Sequence, residues 1–200
     1  VGATIQVMLA ASLAEGTTVI QNCAREPHVV AVANFINACG GKVTGAGTDT
    51  IRVRGVDRLV GTTQTVIPDD IEAGTWMMAA AMTQGDVTLQ NVIPTHLSPI
   101  MAKLREAGVE IHELTDAVRV IGRGRPKAIN VKTLPYPGFP TDAQSQMTAL
   151  LSLGDGTSYV TETLYEDRFR FVPELVRMGA QIRVEGRTAI VKGVEWLYGA

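Results

Sequence analysis

The chain has 200 residues, 46% hydrophobic and 19% charged, with a formal net charge of −2 and an isoelectric point near 5.9. That is enough apolar material for a sizeable core in one or two domains, and the acidic balance leaves no electrostatic footprint for nucleic acid or an anionic membrane. Cys23 and Cys39 show neither C-x-x-C nor metal-ligand spacing and fit a reducing, cytoplasmic setting, and no apolar run approaches the roughly 20 residues that span a bilayer.

The sequence starts at Val1, on the threshold of a helix and with no signal-peptide pattern, so it reads as a piece of something longer. From there one pattern occurs three times. Each copy has a helix of small and apolar residues, a glycine, a short strand, a loop, a second helix ending in glycine, and a β-hairpin. The first copy runs VGATIQVMLAASLAEGTTVIQN, REPHVVAVANFINACGGKV, TDTIRVRGV. The second runs PDDIEAGTWMMAAAMTQGDVTLQN, HLSPIMAKLREAGVEI, DAVRVIG, and the third PTDAQSQMTALLSLGDGTSYVTE, DRFRFVPELVRMGAQI, RTAIVKGV. Three sets of glycines mark the period: Gly16, Gly85 and Gly156 after the first helices, Gly40, Gly108 and Gly179 after the second, and Gly55, Gly122 and Gly193 closing the hairpins. Each set recurs at about 70 residues, which argues for duplication of one β-α-β-α-β-β unit.

The first helix of a copy is apolar nearly all round (Met8 to Ala11; Trp76 to Ala80) and is expected to be buried on most sides. The second is amphipathic, with Lys103, Arg105 and Glu106 on its wet face beside Ile100 and Leu104. Helices inside and strands outside give an inside-out arrangement, and so long a period favours closed threefold packing over a rod. A domain boundary is placed near Ile67, although pattern alone equally allows three copies in one globule.

Between these elements, Gly45-Ala46-Gly47 precedes a hairpin rather than a helix and is read as a turn, not a dinucleotide loop. Arg123-Gly124-Arg125-Pro126-Lys127 is read as a solvated basic linker. His28, His96 and His112 have no metal-site spacing, and His28, just after Pro27, is expected at the surface. Residues 135–169 are the chemically richest stretch. Pro135, Pro137, Gly138 and Pro140 make a rigid turn. Thr141 and Gln144 have the spacing of a capping box, with Asp142 in the first helical turn. The strand at Thr157–Thr161 then runs into a charged corner, Leu164-Tyr165-Glu166-Asp167-Arg168. Asp142 and Arg168 therefore belong to one unit, as candidate ligand-facing groups or as a helix-start aspartate and a surface arginine paired with Glu166 or Asp167.

Ala24-Arg25-Glu26-Pro27, Thr48-Asp49, Pro68-Asp69-Asp70-Ile71-Glu72-Ala73-Gly74-Thr75, Lys103-Leu104-Arg105-Glu106-Ala107-Gly108 and residues 135–146 together resemble the UDP-N-acetylglucosamine enolpyruvyl transferases. These 1-carboxyvinyltransferases take the first committed step of bacterial peptidoglycan synthesis. The similarity covers the whole chain, but only the middle half of a full-length member. It implies an α/β (α+β) inside-out fold of pseudo-threefold units, with residues 1–66 the last unit of a first, loop-bearing domain and 67–200 two units of a second. The implied reaction adds the sugar 3-hydroxyl of UDP-N-acetylglucosamine to C2 of phosphoenolpyruvate and then expels phosphate.

By the same resemblance, Asp142 matches the aspartate proposed to deprotonate that hydroxyl, and Leu164 a position whose backbone holds the nucleotide sugar. Val1 and Gly2 match the end of a segment lining the uridine diphosphate site, and Arg168 an arginine facing the anionic cleft. No cofactor, metal, nucleic acid or membrane is implied, and the full-length protein is expected to be a cytoplasmic monomer. The family's loop cysteine lies upstream and is not matched by Cys23 or Cys39; its Lys-Asn pair and final unit are also absent. His28 stands where relatives carry glutamate, and Asp70 where they often carry arginine. The alternatives are a shikimate-pathway enolpyruvyl transferase and a non-catalytic repeat or binding module.

Overall fold

A computed structural model, describing residues 1–199, divides the chain between Ile67 and Pro68 into two units. Residue 200, the end of the second expected domain, lies outside the described residues.

In the first unit α1 (Gly2–Ala11) leads to β1 (Thr17–Gln21), α2 (Pro27–Ala38) and the hairpin of β2 (Lys42–Thr44) and β3 (Thr50–Arg54). β3 is central and antiparallel to both neighbours. Its alternation buries Ile51 and Val53 and leaves Arg52 and Arg54 in solvent. Met8 of α1 and Val29, Ala33 and Ile36 of α2 complete that core. Pro27 opens α2, where a backbone N–H would have had no helical partner. α1 is less enclosed than its composition predicts. Only Thr4, Met8 and Ala11 are buried, an i, i+4, i+7 stripe, while Val7 and Leu9 remain 43% and 46% exposed. Gly45 and Gly47 both have positive φ in the β2–β3 turn, as the sequence reading requires, and His28 is exposed.

The second unit holds two copies. One comprises α3 (Asp70–Met82), β4 (Asp86–Gln90), a 3-10 turn at Pro94–Leu97, α4 (Ser98–Glu106), β5 (Glu110–Glu113) and β6 (Ala117–Ile121). The other comprises β7 (Asn130–Lys132), a 3-10 turn at Thr141–Ala143, α5 (Gln144–Leu151), β8 (Thr157–Thr161), α6 (Val172–Arg177), β9 (Gln181–Glu185) and β10 (Thr188–Lys192). Asp69 caps α3, its carboxylate accepting from the N–H groups of Ile71 and Glu72 at 2.8 and 2.9 Å. The sheets run β4-β6-β5, all antiparallel, and β7-β8-β10-β9, in which β7 is parallel to β8. A leading strand is thus formed ahead of α5, whereas residues 57–69 ahead of α3 carry none. α3 and α5 pack on each other, α3 against β4 and β6, α5 against β8 and β10. Met77, Met78, Met147, Leu150 and Leu151 are sealed between them, which puts helices inside and strands outside. Trp76, expected in this core, instead stands 59% exposed on α3.

The repeated glycines have physical reasons. The hairpin-closing glycines donate to those after the first helices in every copy: Gly55 to Gly16, Gly122 to Gly85 and Gly193 to Gly156, at 3.0, 2.9 and 2.9 Å. At Gly55 and Gly193 a Cβ would fall 1.6 and 1.7 Å from the carbonyl oxygens of Ala14 and Gly154. The basic linker is not merely solvated. Arg125 is exposed, yet its guanidinium donates to the carbonyls of Leu153, Gly154 and Val194 and ties the linker to the last copy. Bare helix-end carbonyls are natural partners for a cation.

Candidate functional site

The site lies in the second unit, where β7, the 3-10 turn and the corner after β8 converge. Residues 134–140 form a closed loop: Leu134 N–H donates to Phe139 O and Gly138 N–H to Pro135 O. Pro140 then starts the 3-10 turn, with Ala143 N–H bonded to its carbonyl. The expected capping box does not form. Thr141 gives its hydroxyl to the Glu162 carboxylate at 2.8 Å, and Gln144 is buried as the first residue of α5, its Nε2 without a partner among the described residues. The Gln144 N–H that the Thr141 hydroxyl would have capped bonds the Thr141 carbonyl instead, and the hydroxyl is held by Glu162.

Asp142 follows Thr141 on this turn and is exposed. One of its oxygens accepts from Arg168 Nη2 at 2.7 Å, and the other has no partner among the described residues. The same Nη2 reaches the carbonyl of Thr141 at 3.2 Å, and the guanidinium lies 5.4 Å over the Tyr165 ring. Arg168 thus pairs with neither neighbour in sequence, because Glu166 bonds Arg187 and Asp167 bonds Arg170. Leu164 lies on the same corner after β8. Its N–H is committed to Glu162 Oε1 at 2.9 Å, while its carbonyl has no partner among the described residues and can accept a bond from a ligand.

Glu162 is the buried organiser. Its carboxylate accepts from Thr133 Oγ1 (2.9 Å), Thr141 Oγ1, Leu164 N–H and Tyr165 N–H (3.2 Å). Burial pushes this carboxyl up, but the bonds from Leu164, Thr141, Thr133 and Tyr165 outweigh it and hold the group below its ordinary value. No group of three or more His, Cys, Asp or Glu among the described residues could hold a metal ion. The Arg168 guanidinium and the second Asp142 oxygen offer a cation and a proton acceptor side by side. That set suits an anionic substrate bearing a hydroxyl.

The sequence matches the family described as EPSP synthase (3-phosphoshikimate 1-carboxyvinyltransferase) over residues 1–200. The chain belongs to the EPSP synthase family. It is 94% identical, over its whole length, to UDP-N-acetylglucosamine 1-carboxyvinyltransferase 3 of Symbiobacterium thermophilum, of which it covers 47%. It is 58% identical to the like-named protein of Caldanaerobacter subterraneus subsp. tengcongensis, covering 48% of it. The chain thus spans about half the length of these curated relatives. Among solved structures it resembles the enolpyruvyl transferase NikO from Streptomyces tendae, with a TM-score of 0.87 at 23% identity, over 96% of this chain and 46% of that one. The inside-out fold expected from the resemblance is therefore the fold observed.

Within this EPSP synthase-family fold, Asp142 and Arg168 come together in the second unit, and Leu164 is tied to the Asp142 turn through Glu162. Val1 and Gly2 lie in the other unit, at the start of α1, where Val1 O accepts from Ile5 N–H and Gly2 has open space around its Cα. Sequence reasoning missed Glu162, Thr133 and the Tyr165 ring. The signal for Glu162 was present. Ser158 and Val160 are the buried positions of β8, and Glu162 continues their period of two into the core face.

Proposed function

We propose that this chain is the central part of an enolpyruvyl transferase that moves the enolpyruvyl group from phosphoenolpyruvate to the 3-hydroxyl of UDP-N-acetylglucosamine, a step of peptidoglycan synthesis. The observation that carries the reading is the exposed Asp142 carboxylate, with one oxygen held by Arg168 and the other free. In this account Asp142 takes the hydroxyl proton as the sugar oxygen bonds to C2 of phosphoenolpyruvate and C3 gains a proton. Loss of phosphate from C2 and of a proton from C3 then restores the C2–C3 double bond and leaves the enol ether of the sugar. Arg168 offsets phosphate or carboxylate charge, and the Leu164 carbonyl accepts a bond from the nucleotide sugar. The relatives' names support the acceptor, since the family description alone would equally fit a shikimate-pathway enzyme.

In the complete protein, residues 1–66 serve as the last unit of the first domain and 67–200 as two units of the second, with Val1 and Gly2 lining the uridine diphosphate site. The enzyme acts as a cytoplasmic monomer. The test is phosphate release by a complete polypeptide in which these 200 residues replace the matching stretch of the Symbiobacterium relative. UDP-N-acetylglucosamine should support turnover and shikimate 3-phosphate should not; the reverse preference, or no turnover with either, would overturn the reading.

A further inference from the structure

Glu162 is the only Asp, Glu, Lys or Arg that is buried among the described residues, at 1% exposure, and no cation pairs with it there. A buried carboxylate without a counter-ion is a costly way to fasten a strand end. Its particular value is that an ionised carboxylate only accepts, so it can gather several donors at once. Here the donors come from three segments: Thr133 at the end of β7, Thr141 on the turn that presents Asp142, and the N–H groups of Leu164 and Tyr165 on the corner that leads to Arg168. Thr133 extends the clamp, accepting from Thr163 N–H at 2.9 Å and, through its carbonyl, from the Thr163 hydroxyl. Glu162 N–H in turn donates to Arg187 O at 2.8 Å, which anchors the carboxylate's own backbone.

We propose that Glu162 is a positioning residue: it fixes the turn carrying Asp142 against the corner carrying Leu164 and Arg168, without itself touching substrate. The inference rests on the reading of Asp142 as the proton acceptor. Of its four bonds, that from Thr141 is the one that reaches the Asp142 turn, so Thr141→Val removes this link while keeping side-chain shape. Glu162→Ala removes all four. In Glu162→Gln the amide oxygen can serve the Leu164 and Tyr165 N–H groups and the amide NH2 can donate to the Thr141 hydroxyl, so the clamp persists without its charge.

The test uses the complete polypeptide described above, with kcat, KM for the nucleotide sugar and melting temperature measured on each variant. For misplacement of the reacting groups, Thr141→Val should lower kcat on the order of 10- to 100-fold with a much smaller change in KM. Glu162→Gln should recover most of what Glu162→Ala loses. A folded Thr141→Val with parental kcat would overturn the positioning role. If the parent itself turned over no nucleotide sugar, the reading of the reaction would fail separately. The clamp would then be judged from the nitrogen-15 resonances of the Arg168 guanidinium. Displacement in Thr141→Val and near-parental positions in Glu162→Gln would uphold it, and unchanged positions in Thr141→Val would overturn it.

Discussion

Asp142 makes no capping bond, and its contact with Arg168 is exposed, so the fold gains about 0–1 kcal/mol from the pair. Glu162 is the reverse, a group the fold holds tightly. Its carboxyl is depressed below the ordinary 4.5, so its contribution is complete above pH 4.5 and is lost as pH falls through the lower folded value. Urea unfolding of the parent and Glu162→Gln should therefore give a stability difference that shrinks below pH 4.5. A difference constant from pH 7 to pH 3 would contradict the assignment. Asp142 and Arg168 were legible in the sequence because a polar group beside a Pro-Gly turn, and another on a charged corner, advertise exposure. Their mutual pairing was not, since the residues are far apart in sequence and Glu166 and Asp167 were nearer candidates. Thr141 was misread as a cap because local spacing cannot show a carboxylate arriving from a distant strand.

Among the elements, the repeat was legible because each of its glycines answers a backbone requirement that copies share. The hairpin-closing position is the most demanding, and Gly193→Ala drives a Cβ into the Gly154 carbonyl. The cost should reach or exceed the ~3 kcal/mol upper range of ordinary overpacking. Gly186→Ala makes the useful contrast: φ is +57° in the β9–β10 turn but the space is open, so about 1–2 kcal/mol of left-handed strain is expected. Thermal melts should rank Gly193→Ala below Gly186→Ala, and the opposite order would refute the close-approach argument. The burial of α1 was overestimated because composition reports how apolar a helix is, not how many neighbours its unit supplies. Trp76 stands exposed on α3 for a similar reason: an all-apolar helix carries no pattern that says which residue is left outside.

At the largest scale, the chain covers about half the length of its curated relatives, and groups acting as a unit do not work in fractions. The isolated 200-residue chain should therefore release no phosphate from phosphoenolpyruvate with UDP-N-acetylglucosamine. Turnover by the purified chain alone would mean that its own residues complete the site. The account turns on Asp142 as proton acceptor, and kcat of Asp142→Asn in the complete polypeptide tests it most directly. With melting temperature near parental and nucleotide-sugar affinity weakened by about 1–2 kcal/mol, kcat should fall on the order of 100-fold or more, because an amide cannot take the hydroxyl proton. A stable Asp142→Asn enzyme that turns over at close to the parental rate would contradict it.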